Sequence, residues 1–284
     1  MTRALVGFLL LILLACATPR RAAAAEGYDG CSGFITSLPA VIATEGTWCL
    51  KQDLATAITS GYAIRINSNN VTIDCNGFKV GGLTAGPDTA ADGIVAFNQS
   101  HVTVRNCSVR GFNTGIWLNA SSATSAGDHL VENNRIDGNT HYGLNISGDG
   151  SIVRRNLVTN SGGTANCCQV VGIYVGYSVY VLDNTIAGVV STPSYARGIE
   201  AGLDSASISG NRISGITGAG APSAIVASSS DHLTIRDNHL LGDGSTGTYG
   251  IYCSDSSPIA KDNEVNGFAS GISYCTDAGG NDSF

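Results

Sequence analysis

The stretch "HVTVRNCSVRGFNTGIWLN", residues 101–119, is written repeatedly along the chain in shortened or altered form. Echoes include "VYVLDNTIAG" at 179–188 and "LTIRDNHLLGDGSTGTYGIY" at 233–252. Two columns organise the repetition. The first is Gly-Ile or a close relative: Gly93-Ile94, Gly115-Ile116, Gly143-Leu144, Gly172-Ile173, Gly198-Ile199, Ala224-Ile225, Gly250-Ile251 and Gly271-Ile272. The second is Asn106, Asn134, Asn156, Asn184, Asn211, Asn238 and Asn263, each 12 to 14 residues after its glycine except Asn134. Successive Gly-Ile pairs lie 21 to 29 residues apart, within the range of stacked repeat architectures. Apolar residues alternate around both columns, the period of a β-strand. Three short strands per period with no helical stretch predict a parallel β-helix: one strand begins at Gly-Ile, one ends before the Asn, and one follows it. Asparagine suits that turn because it tolerates left-handed backbone angles and bonds nearby backbone groups. Stacked turn on turn, the asparagines are expected to form a ladder. A single turn cannot bury its apolar face, whereas a stack makes one continuous core.

Composition agrees with an all-β chain. Of 284 residues only 13% are charged, 43% are hydrophobic and 37 are glycine; turn and strand formers stand where a helical protein would carry Ala, Leu, Glu and Lys. Arg3 is followed by the apolar run "ALVGFLLLILLA" (4–15) and by "RRAAAAE" (20–26). That run is too short to span a bilayer, which needs about 20 residues, and reads as a secretory signal over 1–25. The expected location is secreted or periplasmic. "LLAC", ending at Cys16, also resembles a lipoprotein box, and the alternative is a lipid anchor through Cys16. Loss of Arg3, Arg20 and Arg21 moves the formal charge from −7 to −10, which argues against nucleic acid as partner, since phosphate contacts need a basic surface.

Eight cysteines remain in the exported chain, an even number that suits disulfides in an oxidising compartment. Cys75 and Cys107 fall one rung apart beside the turn, Cys253 and Cys275 one rung apart on the Gly-Ile strand, and both pairs look bridgeable. Cys31 with Cys49 could staple a cap. Cys167 and Cys168 are not placed.

At this point the chain resembles a known group. With "NNVTIDCNGFKVGG" (69–82) matching a usual first full rung, it is similar to the right-handed parallel β-helix repeat proteins of the pectate-lyase-like superfamily, especially exported bacterial members. The resemblance covers roughly 63–275 and implies a right-handed solenoid of about nine rungs. Residues 26–62 are then the N-terminal cap and 276–284 a C-terminal tail. The superfamily includes lyases, hydrolases, epimerases and binding proteins, so the resemblance leaves activity open. It implies that the Gly-Ile sheet is the working face.

The loops agree with that face. Long insertions at 161–171, 189–197 and 241–249 all lead into Gly-Ile strands and are expected to wall a groove. The residue after each Ile points outward, giving the column Val95, Trp117, Asn145, Tyr174, Glu200, Val226, Tyr252 and Ser273. At a strand spacing of about 4.8 Å it makes a ladder some 34 Å long. Trp117, Asn145, Tyr174 and Tyr252 are the expected polysaccharide-binding residues: flat rings stack on sugars while polar tips stay wet. Acid-base candidates beside the groove are Arg197, Glu200, His141 and Tyr142, with Asp92 and Tyr195 nearby. In a lyase or epimerase Arg197 would neutralise a uronate and a Tyr or His would act as base. The competing reading is an Arg-Glu salt bridge and a loop His-Tyr pair.

Neither the paired-Asp arrangement of polygalacturonase-type hydrolases nor the Asp-Pro-His signature of alginate epimerases is found. His101 and His129 are expected to stack beside Asp128, but polar turn residues explain them as well, and no metal site is assigned. No cofactor is certain; calcium is kept open as a bridge to an acidic polysaccharide. The reading is therefore of an exported β-helix that binds, and in one version processes, polysaccharide. Its alternative is a non-catalytic structural or adhesin-like scaffold.

Overall fold

The computed structural model describes residues 28–122, 126–163, 169–202, 207–228 and 232–284. The segment 1–25 with Cys16, and the adjacent Cys167 and Cys168, lie outside them. No helix among the described residues is long and apolar enough to cross a membrane.

The chain winds as an all-β parallel solenoid. Among the described residues the strands fall into nine successive turns, from Gly46–Cys49, Leu54–Ala55 and Ser60–Ile66 to Ile259–Lys261, Glu264–Asn266 and Ser270–Ser273, seven of them triplets. The first member of each triplet, such as Thr103–Arg105, joins an 11-stranded sheet. Second members, such as Ser108–Arg110, and third members, such as Thr114–Asn119, form two further faces. Those two faces count as one 18-stranded sheet because Thr185–Gly202 and Arg212–Ser228 run through both without a break. Pairing extends past the expected bounds of 63 and 275. Gly46–Cys49 pairs with Val71–Asp74, Thr276–Asp277 with Ile259–Ala260, and Asp282–Ser283 with Glu264–Val265. Strands of two to four residues are too short for alternation to reveal.

The core lies inside the coil. Ile64, Ile94, Ile116, Leu144, Ile173, Ile199, Ile225 and Ile251 pair in register and are each 0% exposed. Each such side chain stabilises the fold by about 1.5–3 kcal/mol relative to exposure, before entropy is counted. The preceding glycine is needed for close approach: a Cβ at Gly143 would run into the Gly172 carbonyl oxygen and a Val158 methyl.

At the corner between the first and second faces the ladder is present but starts one turn later than expected. Asn134, Asn156, Asn184, Asn211, Asn238, Asn263 and Asn281 form it. Each of the first six donates its backbone amide and its Nδ2 to the Oδ1 of the next at 2.9–3.1 Å. Arg105 is in register with Glu132 and Ser108 with Arg135, so Asn106 stands opposite Asn133, not Asn134. Asn106 fills the left-handed corner position, φ 53°, that Asn133, Arg155, Asp183, Asp237 and Asp262 fill in other turns. Its Nδ2 donates to Asp74 Oδ1 instead.

The same one-residue offset separates the two histidines. His101 lies against Asp128, 3.5 Å from Nε2 to Oδ2, while His129 turns inward and is 1% exposed. Its Nδ1 accepts from the Val102 amide, and burial pushes its pKa down to about 4. Among the described residues no three or more His, Cys, Asp or Glu are placed to share a metal.

Three disulfides form, Cys31–Cys49, Cys75–Cys107 and Cys253–Cys275, with Cα atoms 5.9, 4.7 and 5.1 Å apart. They are the chemistry of an oxidising compartment.

Candidate functional site

The third face presents three outward columns. The central one runs Arg65, Val95, Trp117, Asn145, Tyr174, Glu200, Val226, Tyr252 and Ser273 in unbroken register. It is the expected ladder extended by Arg65. It is not uniformly open, because Val95 is 0% and Val226 2% exposed. A second column stands on the residue just before each glycine: Tyr62, Asp92, Thr114, Tyr142, Val171, Arg197, Ser223, Tyr249 and Ser270. The inward Gly-Ile pair between these columns explains their three-residue spacing. A third column reads Ser147, Gly176, Gly202 and Ser228, small residues that leave room beside the rings.

Two clefts open over this face. The first, about 440 Å³, is lined by Trp117, Tyr142, Asn145, Tyr174, Tyr177 and Glu200, with the Gln169 amide beside them. Tyr142 and Tyr174 meet edge to face at 5.9 Å, and Gln169 Nε2 donates to the Tyr142 hydroxyl at 3.1 Å. Burial, reinforced by the nearby Glu200 carboxylate, pushes the Tyr174 hydroxyl above its ordinary pKa, which keeps it a proton donor. The second cleft, about 320 Å³, is lined by Tyr195, Arg197, Val226, Tyr249 and Tyr252.

Between them stands an ion pair. Arg197 Nη1 lies 2.5 Å from Glu200 Oε1, and the two side chains keep only 19% and 10% of their surface. Glu200 faces the first cleft and Arg197 the second. Tyr142 sits two strands from Arg197 in the same column, through Val171. His141 does not line either cleft; its ring lies 4.0 Å from that of Tyr142, and burial lowers its pKa so that it is neutral near pH 7. Tyr142 and Glu200 thus share the first cleft, Arg197 is tied to Glu200 from the second, and His141 lines neither. Arg197 is already engaged by a carboxylate, which leaves it poorly placed to neutralise a uronate in the first cleft.

Upstream the aromatic series continues through residues the Gly-Ile reading passed over. Trp117 meets Phe97 at 4.9 Å, Phe97 meets Tyr62 at 5.6 Å, and Arg65 lies over the Tyr62 ring at 5.6 Å. Such edge-to-face pairs contribute about 0.5–1.5 kcal/mol each. Tyr62, Tyr142 and Tyr249 carried a usable signal, since each directly precedes a column glycine or its equivalent. Gln169 and Tyr177 carried none, because their position depends on how the loops fold back.

Residues 41–186 match the model of the right handed beta helix region. No curated protein matches the sequence. Among solved structures, a tailspike protein of Escherichia coli bacteriophage HK620 in complex with a pentasaccharide is 12% identical, covers 91% of this chain and 54% of its own, and has a TM-score of 0.46. The A-module of the Azotobacter vinelandii mannuronan C-5 epimerase AlgE6 is 12% identical, with 92% of each chain covered and a TM-score of 0.40. The Dettilon tailspike protein is 15% identical, with 86% of this chain and 60% of that one covered and a TM-score of 0.43. The chain thus spans about half the length of the first tailspike. At these identities the likeness is one of fold.

Proposed function

The chain belongs to the right-handed β-helix family, and we propose that it is an exported polysaccharide-binding member whose site is the first cleft over the Gly-Ile face. The observation that carries this reading is the lining of that cleft. Aromatic rings of Trp117, Tyr142, Tyr174 and Tyr177 stand among the amides of Asn145 and Gln169 in about 440 Å³. Rings bury the apolar faces of sugars, and amide groups, which both donate and accept, meet hydroxyls. Binding is the core of the proposal. A lyase step would need a free cation beside the base, and Arg197 is held by Glu200.

The test incubates the protein with neutral and acidic polysaccharides, with and without calcium, and reads both retention and newly formed sugar ends. Saturable binding without new reducing or unsaturated ends is the expected result. New ends that disappear in Arg197→Ala would make the protein an enzyme. A panel blank for binding would favour the scaffold reading.

A further inference from the structure

Glu200 Oε2 is buried and has no hydrogen-bond partner among the described residues. Its sister oxygen is engaged by Arg197, and the residue as a whole is 8% exposed on the wall of the first cleft. Buried side-chain oxygens without a partner are uncommon in folded proteins. An ionised carboxylate oxygen can only accept, so whatever completes this one must donate. No other residue lining the cleft carries a formal charge.

The neighbours narrow the donor further. Tyr174 is one strand from Glu200 and Asn145 one strand beyond it. A Cβ at Gly202 would come within 3.2 Å of the Tyr174 hydroxyl oxygen, so the absent side chain leaves space beside that hydroxyl. The wall therefore offers, in order along the axis, an amide, a phenol and a carboxylate oxygen, all suited to hydroxyl groups.

We infer, resting on the carbohydrate reading above, that on ligand binding the Glu200 side chain turns its buried Oε2 to the cleft, where it accepts a hydrogen bond from a sugar hydroxyl, and that the cleft selects neutral over uronic-acid glycans. An acidic sugar brings a second carboxylate to a sheltered site whose one neighbouring cation is already paired, and like charges there repel. A neutral sugar supplies the missing donor. Sites built to bond a hydroxyl reject ligands that leave the buried partner unpaired.

The experiment measures binding of matched oligosaccharide pairs, manno-oligosaccharide against oligomannuronate and galacto-oligosaccharide against oligogalacturonate. The wild-type protein should bind a neutral member at least tenfold more tightly than its uronate. That comparison needs no variant and stands even if a substitution fails to fold. Glu200→Gln, with folding checked by circular dichroism, should lower neutral binding about tenfold and narrow or reverse the preference, because it frees the Arg197 charge. Neutral binding that is indifferent to Glu200→Gln, or a wild-type preference for the uronate, would overturn the inference while leaving the carbohydrate reading intact. Failure of the wild-type protein to bind any member of the panel would overturn both.

Discussion

Cys107 occupies the place that asparagine holds in each later turn of the corner ladder, and its backbone amide donates to Asn134 Oδ1 at 2.9 Å. Its sulfur is bonded to Cys75 in the turn before. A covalent link thus takes over where the side-chain amides begin. Closing a loop of 32 residues stabilises the folded chain by about 3–4 kcal/mol in the chain-entropy view. The double substitution Cys75→Ser with Cys107→Ser should lose that amount in urea unfolding, and an unchanged midpoint would show that the ladder start needs no covalent support.

Within the ladder, Asn184 bonds both ways. Its Oδ1 accepts from the amide and Nδ2 of Asn156, and its Nδ2 donates to Val153 O and Asn211 Oδ1. Asn184→Ala leaves several buried groups without partners, at about 1–3 kcal/mol for each group that water cannot reach. The expected loss is about 2–4 kcal/mol, measured by chemical denaturation. A change under about 0.5 kcal/mol, the usual size of a surface substitution, would mean that water replaces the side chain.

Two buried groups pull the pH profile in opposite directions. Burial raises Asp92 from 3.8 to about 6, partly offset by bonds from Thr114. Its favourable contribution is present below pH 4 and lost as pH rises through 6. His129 falls from 6.5 to about 4, so its contribution is present above pH 6.5 and lost as pH falls through 4. Across pH 4–6.5 the two slopes oppose each other. Asp92→Asn keeps an acceptor for the Thr114 amide and removes one slope. Its stability should then climb with pH through that window by up to about 3 kcal/mol. Urea midpoints at half-unit pH steps would test this, and a variant profile parallel to wild type would refute it.

On the open face, Trp117→Ala and Tyr174→Ala should each weaken polysaccharide binding about tenfold, near 1.4 kcal/mol, while leaving the unfolding midpoint within about 1 kcal/mol of wild type. Both rings are only half-buried, and the core Ile116 and Ile173 beside them are untouched. Affinity that survives both changes would remove the rings from the site.

Much of this architecture was readable because side chains alternate strictly. One register, set by Ile94, Ile116 and Leu144, places every outward residue from Val95 to Ser273. The offset at Asn106 and His101 arose because one residue type serves two neighbouring roles. Asn133 and Asn134 stand side by side, one left-handed and one in the ladder, and a lone asparagine in "VRNCSV" could be either. Which stretch of the face stays open was not readable at all. Val95 and Trp117 share a column, yet the first is fully covered and the second helps line a cleft, a difference that alternation alone does not encode.

The ladder also has a direction. Every Asn Oδ1 of the ladder accepts from the preceding turn, while from Asn134 to Asn263 each Nδ2 donates both to the next Oδ1 and to a backbone carbonyl of the turn before. Each of these side chains is therefore tied both to the backbone of the turn before it and to the amide oxygen of the turn after it. One asparagine thus fastens three consecutive coils, so a single substitution in the column loosens the turn above and the turn below together.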